Sequence, residues 1–292
     1  MLRVSVIIAS YNSAHFLPAC VASLQRQTWQ DFEVLIVDDG STDNIREVVT
    51  DLRNDPRVRC VHQERRGLPG ARNAGARASQ GEYLVFLDAD DFLADEALAL
   101  LVARFDASGA AWANVGYLRL EGSLRIPRLA IDPPGNLLLA ILDDDYITRC
   151  PCVRRADFFE IGMYDEAMQM REDWDINIRL IAAGKPHICI PEPLYHYSRT
   201  QGSITTGSRL RVLRYTDQLL RKHHKARADA GDSAVARIYA RNQWVQARLY
   251  WYEFHSVRDT LRCVLESLRY DFRWRRLIQP LLSRIAQARG RV

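Results

Sequence analysis

Three acidic stretches in this 292-residue chain combine residue types and spacing that could do chemistry: Asp38-Asp39, Asp88-Ala89-Asp90-Asp91 and Glu172-Asp173. Asp88 and Asp90 follow an apolar run, and residues two apart in an extended segment share a face. Such a pair suits a hard divalent cation, Mg2+ or Mn2+, which takes oxygen ligands from one or two carboxylates, substrate phosphates and water. Capping of the next helix by Asp91 or Asp95 is the alternative, and it explains one acid of the group rather than all. Glu172-Asp173 opens a helical pattern reaching Ala183, where acids also complement the helix dipole.

The elements that must position these residues alternate. Val4 to Ala9, Val34 to Val37, Val58 to His62 and Tyr83 to Leu87 read as strands; Ala14 to Gln27, Asn44 to Leu52, Ala71 to Ala78 and Ala94 to Phe105 read as helices. This repetition predicts an α/β fold with a mostly parallel central sheet and helices on both faces. Ligands in such sheets sit beyond the carboxyl ends of the strands. Ser10-Tyr11-Asn12-Ser13, Asp38 to Asp43 and Asp88 to Asp91 each follow a strand, so they are expected on one rim. Trp112 to Ile131 alternates like paired strands, Pro133-Pro134-Gly135 breaks it, and helical patterns return at Arg154 to Ile161 and Glu172 to Ala183. A dinucleotide cofactor is excluded by the first turn, which has no glycine between Ala9 and Asn12 to admit a pyrophosphate.

Four stretches in order carry a resemblance: Val4-Ser-Val-Ile-Ile-Ala-Ser-Tyr-Asn, Val37-Asp-Asp-Gly-Ser-Thr-Asp, Gly70-Ala-Arg-Asn-Ala-Gly and Phe86-Leu-Asp-Ala-Asp-Asp. Over about residues 3 to 205 the chain resembles glycosyltransferase family 2, whose members have the GT-A fold. The resemblance implies that Ala9 and Tyr11 line a nucleobase pocket and that Asp39 accepts from the base edge. A carboxylate only accepts, which suits the imide N–H of a uracil-type base. It further implies that Arg72, Asn73 and Ala89 face the donor and that Gly75 lets helix and sheet approach. Asp90 is expected as the direct metal ligand, with Asp88 on ribose or a metal-bound water. Arg171-Glu172-Asp173-Trp174 is similar to the family's E-D motif, which makes Asp173 the general base and Glu172 its neighbour at the acceptor. The segment Pro193 to Thr205 departs from the family pattern, because Ser198 and Thr200 stand where Arg and His are expected. His196 or Arg199 is then expected to supply the phosphate contact.

The implied activity is an inverting, metal-dependent transfer of one sugar from a nucleotide-diphosphate donor, UDP-linked by the Asp39 argument, to a hydroxyl of a saccharide or lipid-linked acceptor. Bacterial cell-surface polysaccharide synthesis fits by analogy. The rivals are a sugar-phosphate nucleotidyltransferase, whose glycine-rich phosphate loop is absent after the first strand, and a binding module that has lost turnover.

Charge divides the chain. Residues 209–292 hold 19 Lys/Arg against 7 Asp/Glu, while residues 1–208 hold 21 against 29. The expected domains are therefore a catalytic one over 1–208 and a basic, amphipathic helical C-terminal extension over 209–292. In the latter, aromatics and leucines interleave with arginines, as in Trp251, Phe254, Arg258 and Leu261, and Arg273-Trp274-Arg275-Arg276 could anchor to anionic lipid. Packing on the catalytic domain or homodimer contact are the alternatives; no nucleic-acid motif accompanies the charge. Six scattered cysteines, no signal-like start and no apolar run near the roughly 20 residues of a span predict a cytoplasmic protein, at most at the inner face of the plasma membrane.

Overall fold

The computed structural model describes residues 2–147, 152–198 and 209–271. The chain divides into two compact units, Met1–Ile141 with Asp145–Gly207, and Leu142–Asp144 with Ser208–Val292. In chain order, the first contains β1 (Val4–Ser10), α1 (Leu17–Gln25), β2 (Phe32–Asp38), α2 (Ile45–Leu52), β3 (Val58–His62), α3 (Gly67–Ala78), β4 (Tyr83–Asp88), β5 (Phe92–Leu93) and α4 (Ala97–Ser108). There follow β6 (Trp112–Glu121), β7 (Leu124–Arg128), α5 (Leu137–Asp143, whose last two residues count with the second unit), β8 (Cys152–Arg154), α6 (Arg155–Glu160), α7 (Glu172–Ala182) and β9 (His187–Ser198).

One mixed sheet runs in the order β3-β2-β1-β4-β8-β6-β9-β5, with β7 beside β6. Strands β3, β2, β1 and β4 are mutually parallel. Their sequences are near-continuous apolar runs because helices cover both faces; all of β2 is buried. Val6, Ile8, Val34, Ile36, Val85 and Leu87 belong to one buried cluster, each such side chain contributing about 1.5–3 kcal/mol on burial. Gly75 fixes how closely α3 lies on the sheet: a Cβ there would meet Ile7 Cγ2 at 2.4 Å and Val37 Cγ2 at 3.1 Å. The alternating stretch from Trp112 is the β6-β7 hairpin, whose outer strand carries Pro127 and two exposed arginines, features that discourage further edge pairing.

The helix expected from Ala14 begins as a 3-10 turn at Ala14–Phe16, and α1 starts at Leu17 with a proline in its first turn, where a missing N–H costs nothing. Between β6 and β9 the register shifts twice: Val115 pairs with Ile190, Gly116 with Pro193 and Tyr117 with Tyr195. Only glycine fits at 116, since a Cβ would lie 2.3 Å from Pro191 O.

The described residues of the second unit from 209 onward are mostly helical: α8 (Arg209–Leu220), a π-helical turn (Arg221–Lys225), α9 (Ser233–Tyr252) and α10 (Val257–Tyr270), besides a short helical turn at Ala226–Asp229. Its core contains Leu213, Trp244, Ala247, Tyr250, Cys263 and Val264. Asp217 accepts from Arg221, Gln243 and Arg262. The expected Trp251-Phe254-Arg258-Leu261 helix face is interrupted, because His255 has φ +50° and the Ser256 side chain caps α10. Arg199 and Arg273 to Arg276 lie outside the described residues. Among the described residues no helix is long and apolar enough to cross a membrane.

Candidate active site

The register of the parallel strands sets the rim. Ser10 pairs with Asp38 and Ala9 with Asp88, so the polar stretches after β1, β2 and β4 emerge side by side. Ala9 is half-buried between Val37 and Asp88. Tyr11 stands exposed, with the Arg65 guanidinium 3.8 Å from its ring centroid. Asp38 is internal: one oxygen accepts from Ser41 N at 2.8 Å and the other meets His62 Nδ1 at 3.0 Å. Burial alone would raise its carboxyl, but these hydrogen bonds hold it below the ordinary range. Asp39 is also buried. Its Oδ1 accepts from Gln63 Nε2 at 2.6 Å and Arg66 N at 2.8 Å, and its Oδ2 from Gly67 N at 2.7 Å. A carboxylate has about four acceptor positions, so a nucleobase would share Asp39 with the β3–α3 turn that it already orders.

The acids expected to act together meet at one cation. Arg72, on α3, has a side chain only 5% exposed. Its Nη2 donates to Asp88 Oδ1 at 2.8 Å, and its Nη1 donates to Asp173 Oδ1 at 2.9 Å and Glu172 Oε1 at 3.2 Å. Burial opposes the guanidinium's charge, yet Asp173, Tyr164, Asp88 and Glu172 outweigh it and hold Arg72 well above its ordinary pKa. Glu172 is the strained member: burial, then Asp173, pushes its carboxyl up to about 7 against the pull of Arg72. Asp173 is more open, at 33% side-chain exposure. Both acids sit in the first turn of α7, entered through Arg171 at φ +64° and tied down by Trp174 Nε1, which donates to Ile141 O at 2.7 Å.

Behind the end of β4, the buried Cys20 thiol is pushed well up by burial and then by Asp91, Asp88 and Asp90, which places these three acids together. Asp90 and Asp88 are half-buried, and Ala89 between them is buried. Asp91 is a structural acid: it accepts from Tyr195 Oη and Ser198 N, both at 2.7 Å. Tyr195 Oη in turn accepts from Asp88 N at 3.1 Å. Sequence reading missed Tyr195, although alternation along Tyr195-His196-Tyr197 already puts the two tyrosines on the face opposite His196. His196 pairs with Phe92 of β5, and burial lowers its pKa. Asn73, expected at the donor, is buried and spends its amide on Tyr164 N, Tyr164 O and Glu166 Oε1.

Among the described residues no three His, Cys, Asp or Glu side chains gather to hold a metal. The donor set nevertheless fits a divalent ion. Asp88 and Asp90 offer hard carboxylate oxygens, both half-buried, at the rim beyond β4. An ion there would draw the rest of its shell from phosphate and water.

Solved structures give the class first. S. aureus TarS 1-349 with UDP-GlcNAc superposes with a TM-score of 0.68 at 17% identity, covering 92% of this chain and 81% of that one. The mannosyltransferase PcManGT from Pyrobaculum calidifontis, in complex with GDP-Man and Mn2+, gives 0.59 at 17% identity, covering 91% and 85%. The architecture is the GT-A fold. The model of "Glycosyl transferase family 2" matches residues 5–158. The succinoglycan biosynthesis protein ExoO of Rhizobium meliloti is 32% identical over 257 residues, 81% of this chain and 69% of that protein. The glycosyltransferase EpsJ of Bacillus subtilis is 28% identical over 217 residues, 69% of this chain but 62% of its own length, and a Nostoc glycosyltransferase is matched over 34% of its length. The chain belongs to glycosyltransferase family 2.

Proposed function

We propose that this chain is an inverting glycosyltransferase that moves a sugar from a UDP-linked donor to a hydroxyl of a saccharide or lipid-linked acceptor in cell-surface polysaccharide synthesis, using Mn2+ or Mg2+ at Asp90 and Asp88. The observation that carries the reading is the meeting of Asp88, Glu172 and Asp173, from distant stretches of chain, on the single buried Arg72. The UDP-GlcNAc complex of TarS and the polysaccharide role in the name of ExoO support the donor and acceptor classes.

In this reading Ala9, Tyr11 and Asp39 receive the nucleobase, and the diphosphate lies toward Asp88 and Asp90. A bound divalent cation would neutralise the charge that builds on the departing diphosphate. Asp173 is the base, because it is the more exposed acid of its pair and an acceptor hydroxyl, whose own pKa lies far above neutrality, must reach it. The acceptor oxygen bonds to the anomeric carbon while its proton passes to Asp173. The anomeric carbon's bond to the diphosphate oxygen breaks, and the leaving group keeps the electron pair. One displacement opposite the leaving group inverts the configuration. Residues 1–208 form the catalytic domain in this proposal, and the basic helical residues 209–292 meet an anionic membrane at the cytoplasmic face or a second copy of the chain.

Thermal stabilisation by a panel of nucleotide-sugars with Mn2+ tests the donor, since a ligand raises apparent stability by mass action. A UDP-sugar should stabilise the wild type and not Asp90→Ala. Asp173→Asn should bind that donor with wild-type affinity by calorimetry yet lose transfer; near-normal turnover would move the base elsewhere, and stabilisation of Asp90→Ala equal to wild type would remove the metal assignment.

A further inference from the structure

We propose that Arg72 is a positioning residue that fixes the donor end of the site to the base, rather than a contact to the donor itself. The inference rests on the catalytic reading above and assigns the part played by a residue which the family resemblance would send to the donor.

The geometry is that of a strut. Asp88 closes β4 and Asp173 lies in the first turn of α7, and a planar guanidinium links them, with Asp88 on Nη2 and Asp173 on Nη1. The guanidinium fork is rigid, so the separation of the two carboxylates is set by covalent geometry rather than by the long stretch of chain that joins them. Glu172 on the same Nη1 steadies the Asp173 side. The strut is itself held. The Tyr164 ring centroid lies 5.3 Å from the guanidinium carbon, and the next residue, Asn73, clamps Tyr164 through both its N–H, at 3.0 Å, and its carbonyl, at 2.9 Å. Adjacent side chains of α3 thus fix both the arginine and the ring beneath it.

Electrostatics separates a strut from a phosphate ligand. Arg72 already faces three carboxylates, and drawing it toward a diphosphate would take its charge from the buried Glu172 and from the half-buried Asp88 and Asp173 together, in a partly desolvated place. Holding the acids costs nothing further when the donor arrives. A lysine would keep the positive charge and lose the fork, since an ammonium is a point charge.

Arg72→Lys and Arg72→Ala, checked for folding by circular dichroism, are assayed for UDP-sugar affinity by calorimetry with Mn2+ and for turnover. Because misplacement of a reacting group by about 1 Å can cost about 100-fold, Arg72→Lys should lose about that much kcat while its donor affinity stays within about threefold of wild type. Guanidinium ion added at millimolar concentration should restore turnover to Arg72→Ala and leave the wild type unchanged. Donor affinity weakened more than about tenfold with kcat preserved would overturn the proposal and make Arg72 a donor contact. A readout independent of activity is the melting temperature of the metal-free Arg72→Lys, Asp173→Asn and double variants. Losses that fail to add support the strut, and additive losses overturn it. Full turnover by Asp173→Asn would sink the base assignment alone, leaving the melting result to stand or fall by itself.

Discussion

Glu172→Gln is the substitution that exposes how strained the acidic cluster is. Burial raises the Glu172 carboxyl from an ordinary 4.5 to about 7, Asp173 adds to this, and Arg72 opposes it. The folded protein therefore binds this proton more tightly than the unfolded chain does. Stability from the group is fully present below about pH 4.5 and is lost as pH rises through about 7. At about 1.4 kcal/mol for each tenfold difference in proton affinity, the loss is roughly 3 kcal/mol. Glutamine keeps the shape and the hydrogen-bonding oxygen toward Arg72 but has no proton to lose. Urea unfolding of the metal-free protein, followed by tryptophan fluorescence at about pH 5 and about pH 8, should show wild type losing roughly 3 kcal/mol more than the variant over that interval. Parallel pH dependence in the two proteins would refute the idea that this buried acid bears the strain. So would a wild type that gains stability relative to the variant on going to the higher pH.

Asp39→Ala should free the β3–α3 turn, because Gln63 Nε2, Arg66 N and Gly67 N lose their acceptor together. These donors are only partly buried, so each lost hydrogen bond costs about 0.5–1.5 kcal/mol, and hydrogen exchange at the Arg66 and Gly67 amides should quicken; unchanged exchange would show that the turn holds without the carboxylate. Gly75→Ala should lower the melting temperature through a clash with Ile7, an overpacking cost of about 1–3 kcal/mol. An unshifted transition would mean that α3 slides at no cost.

The parallel half of the sheet was legible because β1 and β2 are buried on both faces and must read as apolar runs between helical periods. Element ends moved by a few residues where local chemistry intervened, as at Pro18 and at Gly67, which begins α3 well before Ala71. The two-residue β5 and three-residue β8 are too short to leave a periodic signal, and their pairings are made by distant partners. At the site, the ordered motifs that carry the family resemblance were enough to nominate Arg72, Asp88, Glu172 and Asp173, though Arg72 was expected at the donor. Partners were not legible. Nothing in Gly70-Ala-Arg-Asn tells that Arg72 turns to three acids and Asn73 to the Tyr164 backbone, because Glu172, Asp173 and Tyr164 lie more than ninety positions away and even Asp88 lies on a different strand.

The double register shift on β9 has a consequence for the length of this stretch. Side chains of a strand alternate between faces, so removing or adding one residue among Pro191 to Leu194 would exchange the faces of everything downstream. His196 would swing toward Asp88 and Asp91, and the phenol that now spans them would point away. Insertions and deletions should thus be tolerated in the β6-β7 loop at Gly122, where a side chain would meet open space, and selected against in a run whose irregular pairing looks permissive.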